Sequence, residues 1–119
     1  MAYTVRTEGA VSAKPPSGAE IPSGSFDYAF AVPEQFTVVN PIPLSLSNVT
    51  DQVVALGMAS CKRLYIRCTA SLSFKVTTAT ETDQIVRCNG LMILGDNTKP
   101  ITGLKVTGTA DGEILACGD

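Results

Sequence analysis

Residues 101–117 read ITGLKVTGTADGEILAC, and this stretch decides the fold class. Apolar and polar residues alternate along 101–110, which places every second side chain on the same face of an extended strand. Asp111-Gly112 is a two-residue turn signal, and residues 113–117 continue as a second apolar run. The stretch therefore predicts a β-hairpin with strands at 101–110 and 113–117 and a turn at Asp111-Gly112.

Working back towards residue 25, the chain repeats this pattern of short strands and turn residues. Pro33-Glu34 is expected to end the first of these strands, and Asn89-Gly90 matches a type I′ turn. Residues 51–60 are expected to be irregular or to form a single helical turn. The predicted strands are 25–32, 36–39, 42–47 (with Ile42, Leu44 and Leu46 facing inward), 61–68, 71–77, 84–88, 91–94 and the final hairpin. About eight short strands at this spacing predict an all-β fold, a single antiparallel β-sandwich or jelly-roll-like domain.

The first 24 residues differ in composition from the rest. Residues 13–24 are rich in Pro, Gly, Ser and Ala, and proline removes the N–H donors that a sheet needs. We expect an extended N-terminal arm over 1–24 and a β-sandwich domain over 25–119. Two alternatives stay open for the arm: a disordered terminus, or a segment that orders against a neighbouring subunit.

Charge and hydropathy argue against two classes of partner. The chain has 119 residues, a net charge of −2 and nine basic residues, which are scattered apart from Lys62-Arg63 and Arg67. Nucleic-acid-binding surfaces need clustered Lys and Arg, so we expect no nucleic-acid partner. No segment approaches the ~20 apolar residues that cross a bilayer, and residues 1–8 do not resemble a secretory signal. We therefore expect no membrane partner and synthesis in the cytoplasm.

Four cysteines, Cys61, Cys68, Cys88 and Cys117, are the most ambiguous feature of the sequence. They form no C-x-x-C pair and the chain has no histidine, which argues against a zinc site and against a catalytic thiol. Reduced thiols that act as small apolar side chains are expected first. Disulfides within the chain or between subunits are the alternative, with Cys117 the candidate for reaching a neighbour.

The remaining polar residues do not suggest chemistry. Glu81 with Asp83, and Asp111 with Glu113, are expected to be solvated turn residues. Asp96 and Asn97 alone supply too few oxygens for calcium. We therefore predict no catalytic residue, no metal site and no cofactor, and a protein that is not an enzyme.

Two features indicate a subunit interface. Leu91, Met92, Ile93 and Leu94 are apolar at every position, as in a strand covered on both faces, and one cover is expected to be a partner subunit. Arg67 and Arg87 each precede a cysteine in similar contexts, which suggests outward arginines on two neighbouring strands. These arginines are expected either to face solvent or to form salt bridges with an adjacent subunit.

The second half of the chain resembles small β-sandwich virion accessory proteins of tailed bacteriophages. The resemblance rests on LYIRCT at 64–69, GLMILG at 90–95 and GLKVTGTADGEILACGD at 103–119, although four cysteines depart from the pattern. It implies a non-enzymatic structural protein located in the virion, of the capsid decoration or cement type. A neck, collar or tail-fibre component, or a receptor- or carbohydrate-binding module, is the alternative. The expected partners are the protein itself, as a homotrimer, and other virion proteins.

Overall fold

A computed structural model describes the backbone of residues 2–13, 26–95 and 98–118 and the side chains of 2–10, 29–95 and 98–118. The described residues contain no helix and form six strands. These are β1 (Ala2–Ala13), β2 (Phe26–Val38), β3 (Ile42–Val53), β4 (Arg63–Thr78), β5 (Gln84–Leu94) and β6 (Ile101–Gly118).

The six strands belong to one hydrogen-bonded antiparallel sheet, which confirms the all-β antiparallel class. Its order is β1-β2-β6-β4-β5, and β3 pairs with β6. Strand β6 is central: one of its edges pairs with β4 from Arg63↔Cys117 to Thr78↔Ile101. Its other edge pairs with the end of β2 and then with β3. The finer sandwich or jelly-roll arrangement stays a prediction.

The chain divides into two compact units, Ala2–Gln35 and Phe36–Asp119. In the first, β1 pairs with β2, and the Gln35 side-chain amide donates a hydrogen bond to the Thr4 hydroxyl at 3.3 Å. Residues 14–24, the proline-rich part of the predicted arm, lie outside the described residues, as do Asp96 and Asn97. The predicted boundary between residues 24 and 25 therefore stays a prediction.

In the second unit, alternation along the strands builds the core. The inward positions of β4 are buried on both sides of its midpoint, and those of β6 face them across the ladder. The ladder between β3 and β6 has two register shifts and the ladder between β4 and β5 has one, and the segment after β3 adds Val54, Leu56 and Cys61 to this core. The largest fully buried side chains are Phe74, Leu64, Ile66, Leu72, Ile114 and Val106.

Several local predictions are confirmed. Leu44 and Leu46 are buried and Ile42 is half-buried, as the alternation in 42–47 predicts. Of the segment 51–60, which was predicted to be irregular or a single helical turn, residues 54–60 are irregular, whereas residues 51–53 belong to β3. The remaining strand predictions are correct in position but too short, since five long strands, β2 to β6, replace about eight short ones. The sixth, β1, occupies Ala2–Ala13, where an extended arm was predicted and not a strand.

The turn predicted at Asp111-Gly112 is wrong, because β6 runs without a break through 18 residues. Gly112 lies between Leu44 of β3 and Cys68 of β4. A Cβ atom at Gly112 would lie 2.1 Å from the Arg67 carbonyl oxygen, so the backbones here are too close for any other residue. Gly112 therefore allows the backbones of β4 and β6 to lie close together and does not form a turn.

Two further strand ends are also wrong. Asn89-Gly90 lies inside β5, where Gly90 has a φ of 94° and opposes Cys68 beside the irregularity in the β4–β5 ladder. Strand β2 continues through Pro33-Glu34 to Val38. In both cases, residues that usually mark the end of a strand occur within one. Bulges accommodate glycine, and strand edges accommodate proline.

Candidate assembly surface

The residues predicted to form an interface lie on β5, at one end of the sheet order. Among the described residues, β5 pairs with β4 alone. Met92 and Leu94 are half-buried and pack against the core, whereas Leu91 is 72% exposed and Ile93 is 45% exposed. The chain itself therefore covers one face of this apolar strand and leaves the other exposed, and the expected cover by a partner subunit stays a prediction.

An apolar row crosses the outer face of the sheet at this end. Tyr65 on β4 opposes Ile93 of β5 on one side and Leu115 of β6 on the other. Tyr65 and Leu115 are only half-buried. The row therefore joins one exposed side chain to two half-exposed ones on adjacent strands, which makes a contiguous surface.

A second row runs beside the first. Arg67 opposes Leu91 on β5 and Glu113 on β6, and its guanidinium Nη2 forms an ion pair with the Glu113 carboxylate Oε1. The Arg67 side chain is 72% exposed and that of Glu113 is 40% exposed, so this ion pair adds at most about 1 kcal/mol to stability. Its main effect is to leave the surface without net charge.

We call these two rows the outer patch, which consists of Tyr65, Arg67, Leu91, Ile93, Glu113 and Leu115. Most of these residues also line a shallow groove of about 260 Å³ together with Pro41. Tyr65, Glu113 and Leu115 were not expected here from the sequence. A signal existed: residues 114–117 are apolar at consecutive positions, as 91–94 are, which indicates that both faces of a strand are covered.

Arg87 has the predicted orientation but lies outside the outer patch. Arg67 and Arg87 are both exposed and occur on the neighbouring strands β4 and β5, as the sequence suggests. However, Arg67 opposes Leu91 whereas Arg87 opposes Ser73, so the two guanidinium groups do not form one cluster. The outer patch thus contains only one of these two arginines.

All four cysteines are free and buried. Cys117 has no exposed area, so its thiol does not face a neighbouring chain, contrary to the suggestion from the sequence. Burial raises the pKa of the Cys61 thiol to about 11. Burial, reinforced by the nearby Cys68 thiol, also raises the pKa of Cys88 to about 11. These thiols are therefore protonated at neutral pH and behave as small apolar side chains.

One pair of thiols is close together. The Cys68 Sγ lies 3.5 Å from the Cys88 Sγ and 3.6 Å from the Cys88 carbonyl oxygen. Cys68 opposes Gly90 and Cys88 opposes Leu72, so the two cysteines flank the irregularity in the β4–β5 ladder. The pair lies at the midpoint of both strands.

The acidic residues considered as catalytic candidates face lysines from other strands or loops. Lys99 Nζ lies 3.8 Å from a Glu81 carboxylate oxygen, and Lys105 Nζ lies 3.6 Å from Asp83 Oδ1. Glu81 and Asp83 are thus each matched with a cation and are not coupled to one another. Within the described residues, no group of three or more His, Cys, Asp or Glu side chains is placed to hold a metal ion.

Comparison with known proteins adds no relative. No family model, curated protein or solved structure matches this chain. The part of the chain that the structure describes includes no helix with the length and apolar character needed to cross a membrane. The outer patch and the chemistry of the described side chains are therefore the basis for a proposed function.

Proposed function

We propose that this protein is a non-enzymatic structural subunit that self-assembles through the outer patch. The observation that carries the proposal is the exposure of Leu91 and Ile93 on a strand at the end of the sheet order. Edge strands are ready to pair with other chains, and natural proteins usually protect them with charges, prolines or covering loops. Residues 91–94 contain no charge and no proline.

Burial of the outer patch supplies a driving force for association. Covering an exposed Leu or Ile side chain completely contributes about 1.5–3 kcal/mol. Isolated exposed apolar residues are common on monomers, but here they are contiguous across three strands. The half-exposed ring of Tyr65 adds an aromatic side chain of the kind that is enriched at interfaces.

The occupant that fits best is a second copy of this chain. The outer patch has one cation and one anion that already form an ion pair, so another copy meets it without net charge repulsion. In a homotrimer, which we propose, each contact is heterologous, and the outer patch of one subunit packs on a different surface of the next. A pair of subunits related by a twofold axis would instead join two outer patches.

The test is the mass of the particle in solution, measured by light scattering during size-exclusion chromatography. Leu91→Asp places a charge in the outer patch, and we expect it to convert the assembly into monomers. Ile85→Asp is the matched control, because Ile85 is 64% exposed on the same strand but opposes Lys75, away from the outer patch. We expect this variant to keep the mass of the wild-type assembly.

Thermal unfolding checks that both variants are folded, since each change affects an exposed side chain. A wild-type protein that is monomeric at 100-fold above the working concentration would refute self-assembly. An equal loss of assembly in both variants would mean that the outer patch is not the contact. A dimer in place of a trimer would retain the surface and correct the stoichiometry.

The assembly is proposed to lie on a bacteriophage particle, as a capsid decoration or cement-type protein. This part of the proposal is supported by the resemblance of residues 64–119 to virion accessory proteins and by the all-β fold. Mass spectrometry of gradient-purified phage particles that carry the gene should detect the chain in stoichiometric amounts. Its absence from such particles would leave self-assembly intact and remove the virion role.

A further inference from the structure

The pair of thiols on β4 and β5 is a candidate site for a covalent modification, and the groove that leads to it borders the outer patch at Arg67 and Glu113. We propose that Cys68 and Cys88 form an intrachain disulfide when the folded protein meets a small-molecule disulfide such as oxidised glutathione, while Cys61 and Cys117 stay reduced. The proposal selects one of the pairings that the sequence leaves open.

Proximity is the first argument. The two sulfur atoms are 3.5 Å apart, and a disulfide bond requires about 2 Å, so the sulfur atoms must approach each other by about 1.5 Å. Residues 69–71 of β4 bulge out opposite a single residue of β5, between the Cys68↔Gly90 and Leu72↔Cys88 pairs. Bulges are places where strands bend readily, so the movement does not require the regular ladder to break.

Access is the second argument. Cys68 lines an open groove of about 340 Å³ together with Arg67, Thr69 and Glu113. Cys68 and Cys88 are 8% and 3% exposed, whereas Cys61 and Cys117 have no exposed area. Cys68 is the most exposed of the four cysteines, and we expect a reagent to reach it first.

The reaction balances as a thiol–disulfide exchange in two steps. The Cys68 thiolate attacks one sulfur of the small disulfide, which forms a mixed disulfide and releases one small thiolate. The Cys88 thiolate then attacks the Cys68 sulfur, which forms the Cys68–Cys88 bond and releases the second small thiolate. The two protein thiols lose two electrons and two protons, and the reagent is reduced to two thiols.

Burial raises the pKa of the Cys88 thiol above its ordinary value, and this predicts how the rate depends on pH. The thiolate is the reactive form, so closure of the disulfide should be slow at neutral pH and accelerate as pH rises. Below the pKa of the attacking thiol, each unit of pH should increase the rate by about tenfold. A rate that does not change with pH would assign the slow step to a conformational opening.

The experiment uses the full chain, purified under reducing conditions and then incubated with oxidised glutathione at pH 8.5. Alkylation of the remaining thiols followed by trypsin digestion identifies the bond, because Arg67 and Arg87 directly precede the two cysteines. Cleavage after these arginines yields two peptides that each begin with a cysteine. We expect these peptides to be joined, and the peptides of Cys61 and Cys117 to be alkylated.

The bond should also stabilise the protein. A link between residues 68 and 88 closes a loop that is free in the unfolded chain, and we expect the melting temperature to rise by about 5–10 °C and to return to its original value with dithiothreitol. Cys88→Ala should remove the shift. Alkylation of both Cys68 and Cys88 after oxidation, or a bond to Cys61, to Cys117 or to another chain, would overturn the proposal.

Discussion

At the scale of single residues, two left-handed positions on β3 determine how that strand bends. Asn48 and Asp51 have φ angles of 50° and 48°, and each lies at a register shift between β3 and β6. The backbone N–H of Asn48 donates to the Thr109 hydroxyl at 2.7 Å, and that of Asp51 donates to the Thr107 hydroxyl at 2.9 Å. Threonine hydroxyls on β6 thus replace the carbonyl acceptors that the bulges remove. Asn and Asp tolerate this backbone conformation better than other residues with a Cβ.

Asp51 therefore has two roles, which substitutions can separate. Its carboxylate lies 3.0 Å from Lys75 Nζ, and this hydrogen bond to Lys75 holds the pKa of Asp51 below its usual value. Asp51→Asn keeps the left-handed preference and loses the ion pair, so we expect only a small loss of stability in urea unfolding. Asp51→Ala loses both the ion pair and the left-handed preference, so we expect it to be clearly less stable than Asp51→Asn. Equal losses in the two variants would show that the ion pair, not the backbone, dominates.

At the scale of elements, the pairing of β6 with β4 depends on one glycine, Gly112. Gly112→Ala would place a Cβ 2.1 Å from the Arg67 carbonyl oxygen, so the strands must move apart. We expect this variant to lose about 3 kcal/mol or more in chemical denaturation. Gly103→Ala is the control on the same strand, because its Cβ would meet Thr77 at an ordinary 3.6 Å. A loss of less than about 1 kcal/mol for both variants would contradict the close approach.

Gly112 also illustrates which features of the fold can be predicted from the sequence and which cannot. Alternation along 42–46 and along β4 predicts their inward faces correctly, because period two depends only on local geometry. Asp111-Gly112 and Asn89-Gly90 mislead, because a glycine that allows close contact with a distant strand has the same sequence signal as one in a turn. Leu91–Leu94 indicates an interface from sequence alone, but its neighbours Tyr65 and Leu115 become visible only when β4 and β6 are placed beside it.

At the scale of the whole molecule, buried thiols link stability to alkaline pH. The pKa of Cys61 rises from an ordinary 9.0 to about 11 in the folded protein, because its thiol is buried. A raised pKa stabilises the fold below pH 9, and this contribution is lost as pH rises from 9 to about 11. We expect Cys61 to account for a fall of roughly 2–3 kcal/mol in the free energy of unfolding over that interval.

Denaturant unfolding at several pH values measures this slope. The pKa of Cys88 is also raised to about 11, so the informative quantity is the difference between the wild type and Cys61→Ala. We expect the variant to be less stable at pH 8 but to lose less stability between pH 9 and 11. Parallel curves for the two proteins would show that Cys61 does not contribute to the alkaline fall.

The central position of β6 also determines when this fold can be completed during translation. Strand β6 is hydrogen-bonded to β2, β3 and β4, and all three precede it in the chain. On the ribosome, β4 and β5 can pair as soon as residue 94 has emerged, but β3 has no partner among the described strands until β6 follows. The nascent chain therefore exposes the apolar face of β3 until β6 is made, and during this interval a chaperone or an already folded copy would have most effect.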